Sequence, residues 1–404
     1  MHSATTNRGA TAQAVASPLN DGGLRVLCAP ASFKETLSAR AAAQAMAAGV
    51  RSLGSEIAVD VCPVADGGEG SLDALIDAMG GRIERAVVTG PLGSPVSARF
   101  GLAAGGTIGI VELAETAGLG LVPLHRRDPT RTTTYGTGQL IRRAADLGCA
   151  RVIVCVGGSA TCDGGAGLAQ ALGAMFLDAN GRPVRWPMTG EMLSLVRQVV
   201  PPRGLPAIDV ACDVQSPLLG PEGAAALYGP QKGATPDQVR ALEHGLANLA
   251  GLVDFDSRTP GAGAAGGAAF GLAALCGARL APGIDLVLDA VGFAARSRRA
   301  TLVLTGEGRL DRQTLQGKAV AGVAAAARRA GVPTIAIVGG TGAGAADCTD
   351  PSKGGYVCRI VSLTERYGEE RAVAEAGTLL RQTAMAVVAE ELERLAPQRA
   401  EGGA

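Results

Sequence analysis

Histidine is nearly absent from this chain of 404 residues, which contains only His2, His125 and His244. Three histidines so far apart in the sequence do not form the kind of cluster that holds a transition metal. They also supply little for a Ser-His-Asp hydrolase, and the GGSAT segment around Ser159 lacks the second glycine of a nucleophile elbow. Neither a histidine metal site nor serine hydrolase chemistry is expected.

Aromatic residues, surplus charge and long apolar runs are scarce as well. Aromatic residues make up 3% of the chain, and 37 basic residues balance 37 acidic ones. This balance offers no basic surplus for nucleic acid or an anionic membrane. The chain has no apolar run of roughly 18 residues, so we expect no membrane-spanning helix. Residues 1–20 lack the apolar core of a secretory signal, which predicts a disordered tail and a cytoplasmic protein.

The nine cysteines show no disulfide pattern. Their number is odd, no two form a CxxC motif, and most lie in apolar runs such as RVIVCV. This usage is typical of small buried side chains in a reducing compartment.

At both ends of the chain, continuous apolar strands alternate with helices. The predicted strands cover residues 24–30, 56–64, 300–308, 333–340 and 358–363. Strands that are apolar on both faces and alternate with helices are typical of a parallel sheet. From about residue 84 to 123 the strands are shorter and separated by turns, which favours a mixed sheet.

These patterns predict an α/β protein of two domains. Residues 21–84 and 286–395 form a doubly wound, Rossmann/flavodoxin-like parallel-sheet domain built from both chain ends. Residues 85–285 form an inserted α/β domain with a mixed sheet, and residues 396–404 form a flexible tail.

Glycine, with 59 residues, is about twice as frequent as usual. Much of it falls in five clusters at 66–70, 157–167, 261–267, 306–308 and 339–344. In open α/β sheets the ligand crevice lies beyond the carboxyl ends of the strands, where loops of this kind converge. Glycine lets backbone N–H groups approach phosphate oxygens, although each cluster taken alone could equally be a tight turn.

Two familiar nucleotide-binding patterns fail on inspection. The GAGAAGG segment at 261–267 matches GxGxxG, but a polar, proline-containing stretch precedes it instead of a strand. A Walker A motif is absent, because Gly317 and Lys318 are followed by Ala319 and lack the upstream glycine. If the protein handles ATP, it does so without a P-loop.

Acids and lysines stand beside the glycine turns. The acids are Asp66, Glu69, Asp163, Asp213, Glu307 and Asp311, and the lysines are Lys34, Lys232 and Lys318. Carboxylates suit Mg²⁺ bound together with substrate phosphates, or one of them could accept a hydroxyl proton. For Glu69 and Asp311 a capping or turn role is an equal alternative, and Lys318 is better explained as a solvated lysine. Thr137 is expected to cap the helix that follows the TTTYGTG run.

Together these segments resemble the type-1 glycerate kinase family. The resemblance runs in the family's order from about residue 24 to 380. It rests on APASFKETLSA, ADGGEGSLDAL, GPLGSPVSARFG, TTTYGTGQLI, GGSATCDGGAGLAQALG, ACDVQSPLLGPEGAA, YGPQKGA, GAGAAGGAAFGL and LTGEGRLDRQTLQGKA. Three positions depart from the family pattern: Ala31 replaces an acid, while Cys162 and Ser216 each replace an asparagine.

The resemblance implies ATP-dependent phosphorylation of glycerate with Mg²⁺, at a site between two α/β domains. On that basis we expect Asp213 and Glu307 to bind the metal, with Asp66 as a third ligand. Asp163 is the expected acceptor of the hydroxyl proton and Asp66 the alternative, while Lys232 neutralises phosphate charge. The expected substrate and phosphate contacts are Ser32, Lys34, Gly67, Gly68, Gly157, Gly158, Ser159, Gly164, Gly165 and Gly306.

Several alternatives stay open at this point. The resemblance favours 2-phosphoglycerate as the product, but phosphorylation of the 3-hydroxyl or of a related small hydroxy acid remains open. A nicotinamide-dependent oxidoreductase and a non-catalytic binding protein are alternatives from other functional classes. The oligomeric state is also open, with a homodimer among the options.

Overall fold

The computed structural model of the chain describes residues 23–33, 36–65, 71–316 and 318–401, except the side chains of residues 313, 316 and 395–401. Within these residues the strands are β1 (Arg25–Cys28), β2 (Ala58–Val61), β3 (Gly81–Thr89), β4 (Pro95–Ala103), β5 (Ile108–Glu112), β6 (Arg151–Cys155), β7 (Met175–Leu177), β8 (Gln198–Val200), β9 (Ala207–Ala211), β10 (Arg279–Ala281), β11 (Leu302–Thr305), β12 (Arg309–Leu310), β13 (Thr334–Val338), β14 (Gly340–Thr341) and β15 (Arg359–Ser362).

The helices surround the sheets on both faces. They are α1 (Ala39–Arg51), α2 (Ser71–Met79), α3 (Ala114–Ala117), α4 (Tyr135–Asp146), α5 (Ala166–Ala171), α6 (Ala224–Tyr228), α7 (Pro236–Ala250), α8 (Ala264–Cys276), α9 (Gly283–Ala290), α10 (Phe293–Ser297), α11 (Ala319–Arg329), α12 (Leu363–Tyr367), α13 (Glu369–Ala374) and α14 (Ala376–Glu401). Short 3₁₀ segments cover Ala104–Gly106, Leu119–Leu121, Leu124–Arg126, Gly190–Leu195, Pro230–Lys232, Arg312–Gln316, Ala345–Thr349 and Pro351–Lys353.

The two ends of the chain build one parallel sheet. Its five strands lie in the order β2-β1-β11-β13-β15, and every neighbouring pair is parallel. Numbered within the sheet, this is the 2-1-3-4-5 order of flavodoxin-like folds. The direction of winding reverses between β1 and β11, which makes the carboxyl ends of these two strands the expected ligand crevice.

The middle of the chain forms a six-stranded mixed sheet. Its order is β3-β4-β5-β6-β9-β10, with antiparallel pairs at β3-β4 and β4-β5 and parallel pairs elsewhere. The α/β fold class, the parallel sheet from both chain ends and the mixed sheet between them are therefore confirmed. The domain limits at residues 84–85 and 285–286 remain a prediction.

Side chains alternate between the two faces of the parallel sheet, as the strand period requires. Val26 packs with α1 and α14 on one face, while Leu27 points to the other face. Leu27 and Val303 lie in one apolar cluster with Ile110 and Ile153 of the mixed sheet. The two sheets thus share a core, and this core continues to their carboxyl edges.

The helix ends follow the sequence in part. Ser38 caps α1, with its hydroxyl oxygen accepting the N–H of Ala41 at 3.2 Å. The last helix continues to Glu401, into residues 396–404, for which the sequence predicts a flexible tail. In the part of the chain that the structure describes, no helix is long and apolar enough to cross a membrane.

Candidate active site at the carboxyl edges of the two sheets

The switch point of the parallel sheet joins two predicted site segments. The N–H of Ala31, after β1, donates to the carbonyl of Gly306, after β11, at 2.8 Å. Gly306 has no room for a side chain, because a Cβ would overlap the carbonyl oxygen of Ile337. The next residue, Glu307, is half-buried, and its Oε1 accepts the Thr314 hydroxyl at 2.7 Å. Ser32, beside Ala31, is also half-buried at this edge.

The parallel strands of the mixed sheet end together as well. Glu112, Cys155 and Ala211 are in register at the ends of β5, β6 and β9. Asp213 follows β9 and is exposed, and its Oδ1 accepts the N–H of Gly283 at the start of α9 at 2.8 Å. The favourable dipole at the start of this helix supports a carboxylate in that position.

The edges of the two sheets meet at the first turn of α2. The N–H of Leu72 donates to Oε2 of Glu112 at 3.2 Å, which links the helix that follows β2 to the end of β5. Ser71 and Cys155 are buried beside this contact and hydrogen-bond through their side chains. Glu112 was not among the predicted site residues. Glu112 ends the apolar strand β5, where a carboxylate needs a partner or a ligand, so it could have been found.

The glycine loop after β6 is anchored by a buried cation. Lys232 is 3% exposed, and its Nζ donates to the Ser159 hydroxyl and to the Thr161 carbonyl, both at 2.7 Å. Burial lowers the pKa of Lys232 from 10.5 to about 8, because desolvation disfavours the charged ammonium. The structure thus brings together Lys232 and Ser159, two residues that the sequence singled out, while Gly157 and Gly158 in the same loop are exposed.

Asp163 closes the same loop from inside the protein. It is fully buried and accepts four hydrogen bonds, from the N–H and hydroxyl of Thr134 and from the N–H groups of Gly165 and Gly167. Desolvation raises the pKa of its carboxyl group, and these hydrogen bonds oppose the shift. With four donors around it and no exposed surface, the carboxylate ties α4 to α5. The role of Asp163 as acceptor of the hydroxyl proton remains a prediction.

The expected helix cap at Thr137 is wrong. Thr137 lies inside α4, and its hydroxyl is 2.7 Å from the hydroxyl of Thr116. Thr134 precedes the helix instead, and its hydroxyl oxygen accepts the N–H of Leu168 at 2.9 Å. The run of threonines hid which member precedes the helix, because all of them have similar capping propensity.

The glycine segment at 261–267 packs against the glycine loop after β6. The N–H of Gly164 donates to the carbonyl of Gly266 at 3.1 Å. Gly164, Gly165 and Gly266 have φ values of 60°, 71° and 68°, in the left-handed region that favours glycine. Residues 251–260, which precede the GAGAAGG segment, contain no strand, so the rejection of this segment as a dinucleotide motif agrees with the fold.

The three departures from the family pattern lie in ordered surroundings. Ala31 is buried in the core that the two sheets share, and Cys162 is fully buried. Ser216 is also buried, and its Oγ accepts the Tyr228 hydroxyl at 3.3 Å. All nine cysteines fall among the described residues and are free thiols, in agreement with the predicted lack of disulfides.

Several predicted site residues lie outside the described residues. These are Lys34, Asp66, Gly67 and Gly68, together with Glu69 and the tail at 1–20. The described part of the chain contains no group of three or more His, Cys, Asp or Glu residues that could hold a metal by itself. Asp213 and Glu307 come from different sheets and supply carboxylate oxygens. This donor type fits Mg²⁺, which commonly binds one or two carboxylates together with substrate phosphates.

Known proteins are similar to this chain over most of its length. The model of the glycerate kinase family matches residues 26–391. Glycerate kinase of Bacillus subtilis (strain 168) is 46% identical over 327 residues, which cover 78% of this chain and 85% of that protein. Glycerate 2-kinase of Escherichia coli (strain K12) is 42% identical over 326 residues, with 78% and 85% covered.

A solved structure is similar as well. It is a protein from Salmonella typhimurium LT2, described provisionally as glycerate kinase 2, with a TM-score of 0.78 and 39% identity over 93% of this chain and 99% of that chain. The chain therefore belongs to the glycerate kinase family, and it is a phosphotransferase with an alcohol acceptor.

Proposed function

We propose that this kinase transfers the γ-phosphoryl group of ATP to the 2-hydroxyl of D-glycerate, giving 2-phosphoglycerate. The observation that carries the proposal is the meeting of both carboxyl edges at the start of α2, through Glu112 and Leu72. Phosphoryl transfer requires mainly positioning and charge neutralisation, and an edge of this kind gathers carboxylates, backbone N–H groups and glycine turns. The name of the Escherichia coli relative, glycerate 2-kinase, supports the position of transfer.

Membership of a kinase family removes the alternatives from other classes. A nicotinamide oxidoreductase and a non-catalytic binding protein do not agree with it. The remaining alternatives are transfer to the 3-hydroxyl and use of a related small hydroxy acid.

Asp213 and Glu307 are the residues proposed to hold Mg²⁺, with Asp66 as a third. When bound, the ion neutralises negative charge on the phosphate oxygens. Asp213 is kept in place by the N–H of Gly283, and Glu307 by the hydroxyl of Thr314. Each carboxylate is thereby oriented before any substrate arrives.

The glycine turns supply backbone N–H groups to the phosphates. We assign this role to Gly157, Gly158 and Gly306, with Gly67 and Gly68 from the segment before α2. Gly164 and Gly165 act from beneath, where their left-handed conformation turns the chain into α5. Lys232 and Ser159 hold the loop in shape, so we propose that the lysine acts on phosphate through the loop.

The proton acceptor follows by comparison of two carboxylates. Asp163 is buried among four donors, so a substrate hydroxyl could reach it only after these hydrogen bonds break. We therefore favour Asp66, the alternative from the sequence, as the acceptor of the hydroxyl proton. Lys34 and Ser32 are proposed to bind the glycerate carboxylate or the transferred phosphoryl group.

The test combines purified protein, ATP, Mg²⁺ and D-glycerate, with ADP release as the rate and phosphorus NMR of the product. Glycerate-dependent ADP release with 2-phosphoglycerate as the product is expected. Formation of 3-phosphoglycerate would refute the position of transfer. Glycerol, which lacks the carboxylate, and lactate, which lacks the 3-hydroxyl, serve as acceptor controls. Faster turnover of lactate than of glycerate would refute the substrate.

Two further expectations remain proposals. Nine free thiols, most of them buried, are typical of a reducing compartment, which supports a cytoplasmic location. A homodimer is tested by light scattering of the purified protein.

A further inference from the structure

Helix α2 contacts both the helix α1, which packs on the parallel sheet, and the mixed sheet. On one side, the backbone N–H and Nε of Arg40 in α1 donate to the carboxylate of Asp77 at 2.7 and 3.0 Å. On the other side, Arg99 of β4 forms an ion pair with Asp73 at 3.1 Å. The helix therefore connects a helix of the parallel-sheet unit to a strand of the mixed sheet.

These ion pairs are exposed, whereas one contact of the same helix is buried. The side chains are 47% and 23% exposed in the Arg40–Asp77 pair and 29% and 57% exposed in the Arg99–Asp73 pair. Ion pairs that are open to solvent in this way contribute little to fixing a geometry. Glu112 is only 6% exposed, and its carboxylate accepts the N–H of Leu72 in the first turn of α2. Away from water this charge-assisted hydrogen bond is weakly screened, and its loss leaves a buried N–H group without that acceptor.

The position of Glu112 in its strand matters for the site. Glu112 lies two residues after Ile110, so the two side chains point to the same face of the sheet. The side chain of Ile110 lies in the core that the two sheets share. Glu112 also ends its strand in register with Cys155 and Ala211. Asp213 lies two residues after Ala211. A side chain of the mixed sheet thus reaches across the boundary between the sheets at the edge where Asp213 lies.

We propose that Glu112 is a positioning residue for phosphoryl transfer. By binding the first turn of α2, it fixes the spacing between the carboxyl edges of the two sheets, so that groups from both sheets act on the same bound substrates. Glu112 acts through α2 and does not itself touch the reacting atoms. The inference rests on the proposed site between the sheets and adds a residue to which no role had been assigned.

The expected effect follows from the sensitivity of transfer to alignment. A displacement of about 1 Å can lower a rate by about 100-fold, even when substrates still bind. We therefore expect Glu112→Ala to lower kcat by about 10- to 100-fold, with much smaller changes in the KM for ATP and for glycerate. Glu112→Gln retains a carbonyl oxygen that can accept the Leu72 N–H, so it is expected to recover part of the loss.

The experiment compares these variants with two controls. Asp73→Asn removes an exposed contact of the same helix. Asp209→Asn alters a buried carboxylate of the same sheet that pairs with Arg151 and Arg279 away from α2. Amide hydrogen exchange of Leu72 and steady-state kinetics per folded molecule are measured for each variant. The exchange readout is independent of activity.

Faster exchange in Glu112→Ala but not in the controls, together with a fall in kcat that Glu112→Gln partly reverses, is the expected result. Unchanged exchange in Glu112→Ala would show that the contact does not hold α2. Faster exchange with normal kcat and KM would show a structural role only, and either outcome overturns the proposal. If the wild-type protein prefers another hydroxy acid, the proposed substrate fails, and the same comparison is made with that acid.

Discussion

The ammonium group of Lys232 donates a 2.7 Å hydrogen bond to the hydroxyl of Ser159, a residue 73 positions earlier in the chain. A second bond from the same nitrogen reaches the Thr161 carbonyl. A buried lysine therefore sets the conformation of the glycine loop that is proposed to meet phosphate. This relationship makes the loop sensitive to changes in a side chain outside it.

Replacing the anchoring lysine tests that sensitivity. Lys232→Met keeps an apolar stem but removes both hydrogen bonds, so we expect kcat to fall by about 10- to 100-fold because the loop shifts. Lys353→Met is the matched control, since Lys353 pairs with Asp347 on the surface. Steady-state kinetics of folded protein check the result. Unchanged kcat in Lys232→Met would mean that other contacts position the loop.

Stability should depend on pH through the same lysine. Its pKa is about 8 in the folded protein and 10.5 ordinarily, so between these values the unfolded chain keeps a proton that the folded protein has lost. The contribution of Lys232 to the free energy of unfolding therefore rises with pH across this window and is lowest below it. Urea unfolding of the wild type and Lys232→Met at several pH values measures the difference. A difference independent of pH would contradict the lowered pKa.

Asp163→Asn distinguishes a positioning carboxylate from a proton acceptor. The amide would place an NH₂ group against N–H or hydroxyl donors, so we expect the free energy of unfolding to fall by about 2 kcal/mol or more. The control Asp178→Asn alters a turn carboxylate that accepts two backbone N–H groups near the surface, and a change within about 0.5 kcal/mol is expected. Normal stability with a large loss of kcat would instead restore Asp163 as the proton acceptor.

Alanine substitutions at two glycines with similar φ values distinguish the cost of backbone strain from the cost of steric overlap. Gly266 and Gly277 have φ values of 68° and 69°. A Cβ at Gly266 would overlap the carbonyl of Thr161, whereas a Cβ at Gly277 would meet nothing within 4 Å. Gly277→Ala should lower the free energy of unfolding by about 1–2 kcal/mol through backbone strain alone. Gly266→Ala should lower it by clearly more, because steric overlap is added to the strain. Denaturant unfolding checks both. Equal losses in the free energy of unfolding would show that the backbone around Thr161 shifts to accommodate the added Cβ.

Asp213→Asn tests the proposed metal site. We expect kcat to fall by about 1,000-fold, the size of lost electrostatic stabilisation in a transition state, and the Mg²⁺ concentration for half-maximal rate to rise. Asp289→Asn is the control, because this exposed carboxylate pairs with Arg151 on the sheet. Chelation of Mg²⁺ should abolish wild-type turnover. A loss smaller than about tenfold in Asp213→Asn would remove Asp213 from the site.

Much of the fold could be predicted because its signals are local. Apolar runs at both chain ends predicted β1, β2, β11 and β13. These features depend on backbone preference and hydrophobic period within a few residues. The cap predicted at Thr137 is wrong because neighbouring threonines have similar capping propensity, and the position of the helix start is set by packing. Thr134 precedes α4, and its hydroxyl donates to Asp163 rather than capping the helix.

The site was predicted as a set of residues rather than as an arrangement. Asp213 was predicted as a metal ligand, and Lys232 as a group that neutralises phosphate charge. Their contacts depend on segments far apart in sequence, as does the bond between Glu112 and Leu72. No local pattern encodes such distances, because they result from the packing of whole elements.

By itself, therefore, the sequence determined the elements, the two kinds of sheet, the family resemblance and the chemistry that scarce histidine and balanced charge leave available. The tertiary structure decided which polar side chains are buried and what each one binds. It buried Asp163 and Lys232 against the glycine loop after β6, and it brought Glu112 to the boundary between the sheets. The physical reason is that hydrophobic period and backbone preference act over neighbouring residues, whereas burial and desolvation are set only when distant segments pack together.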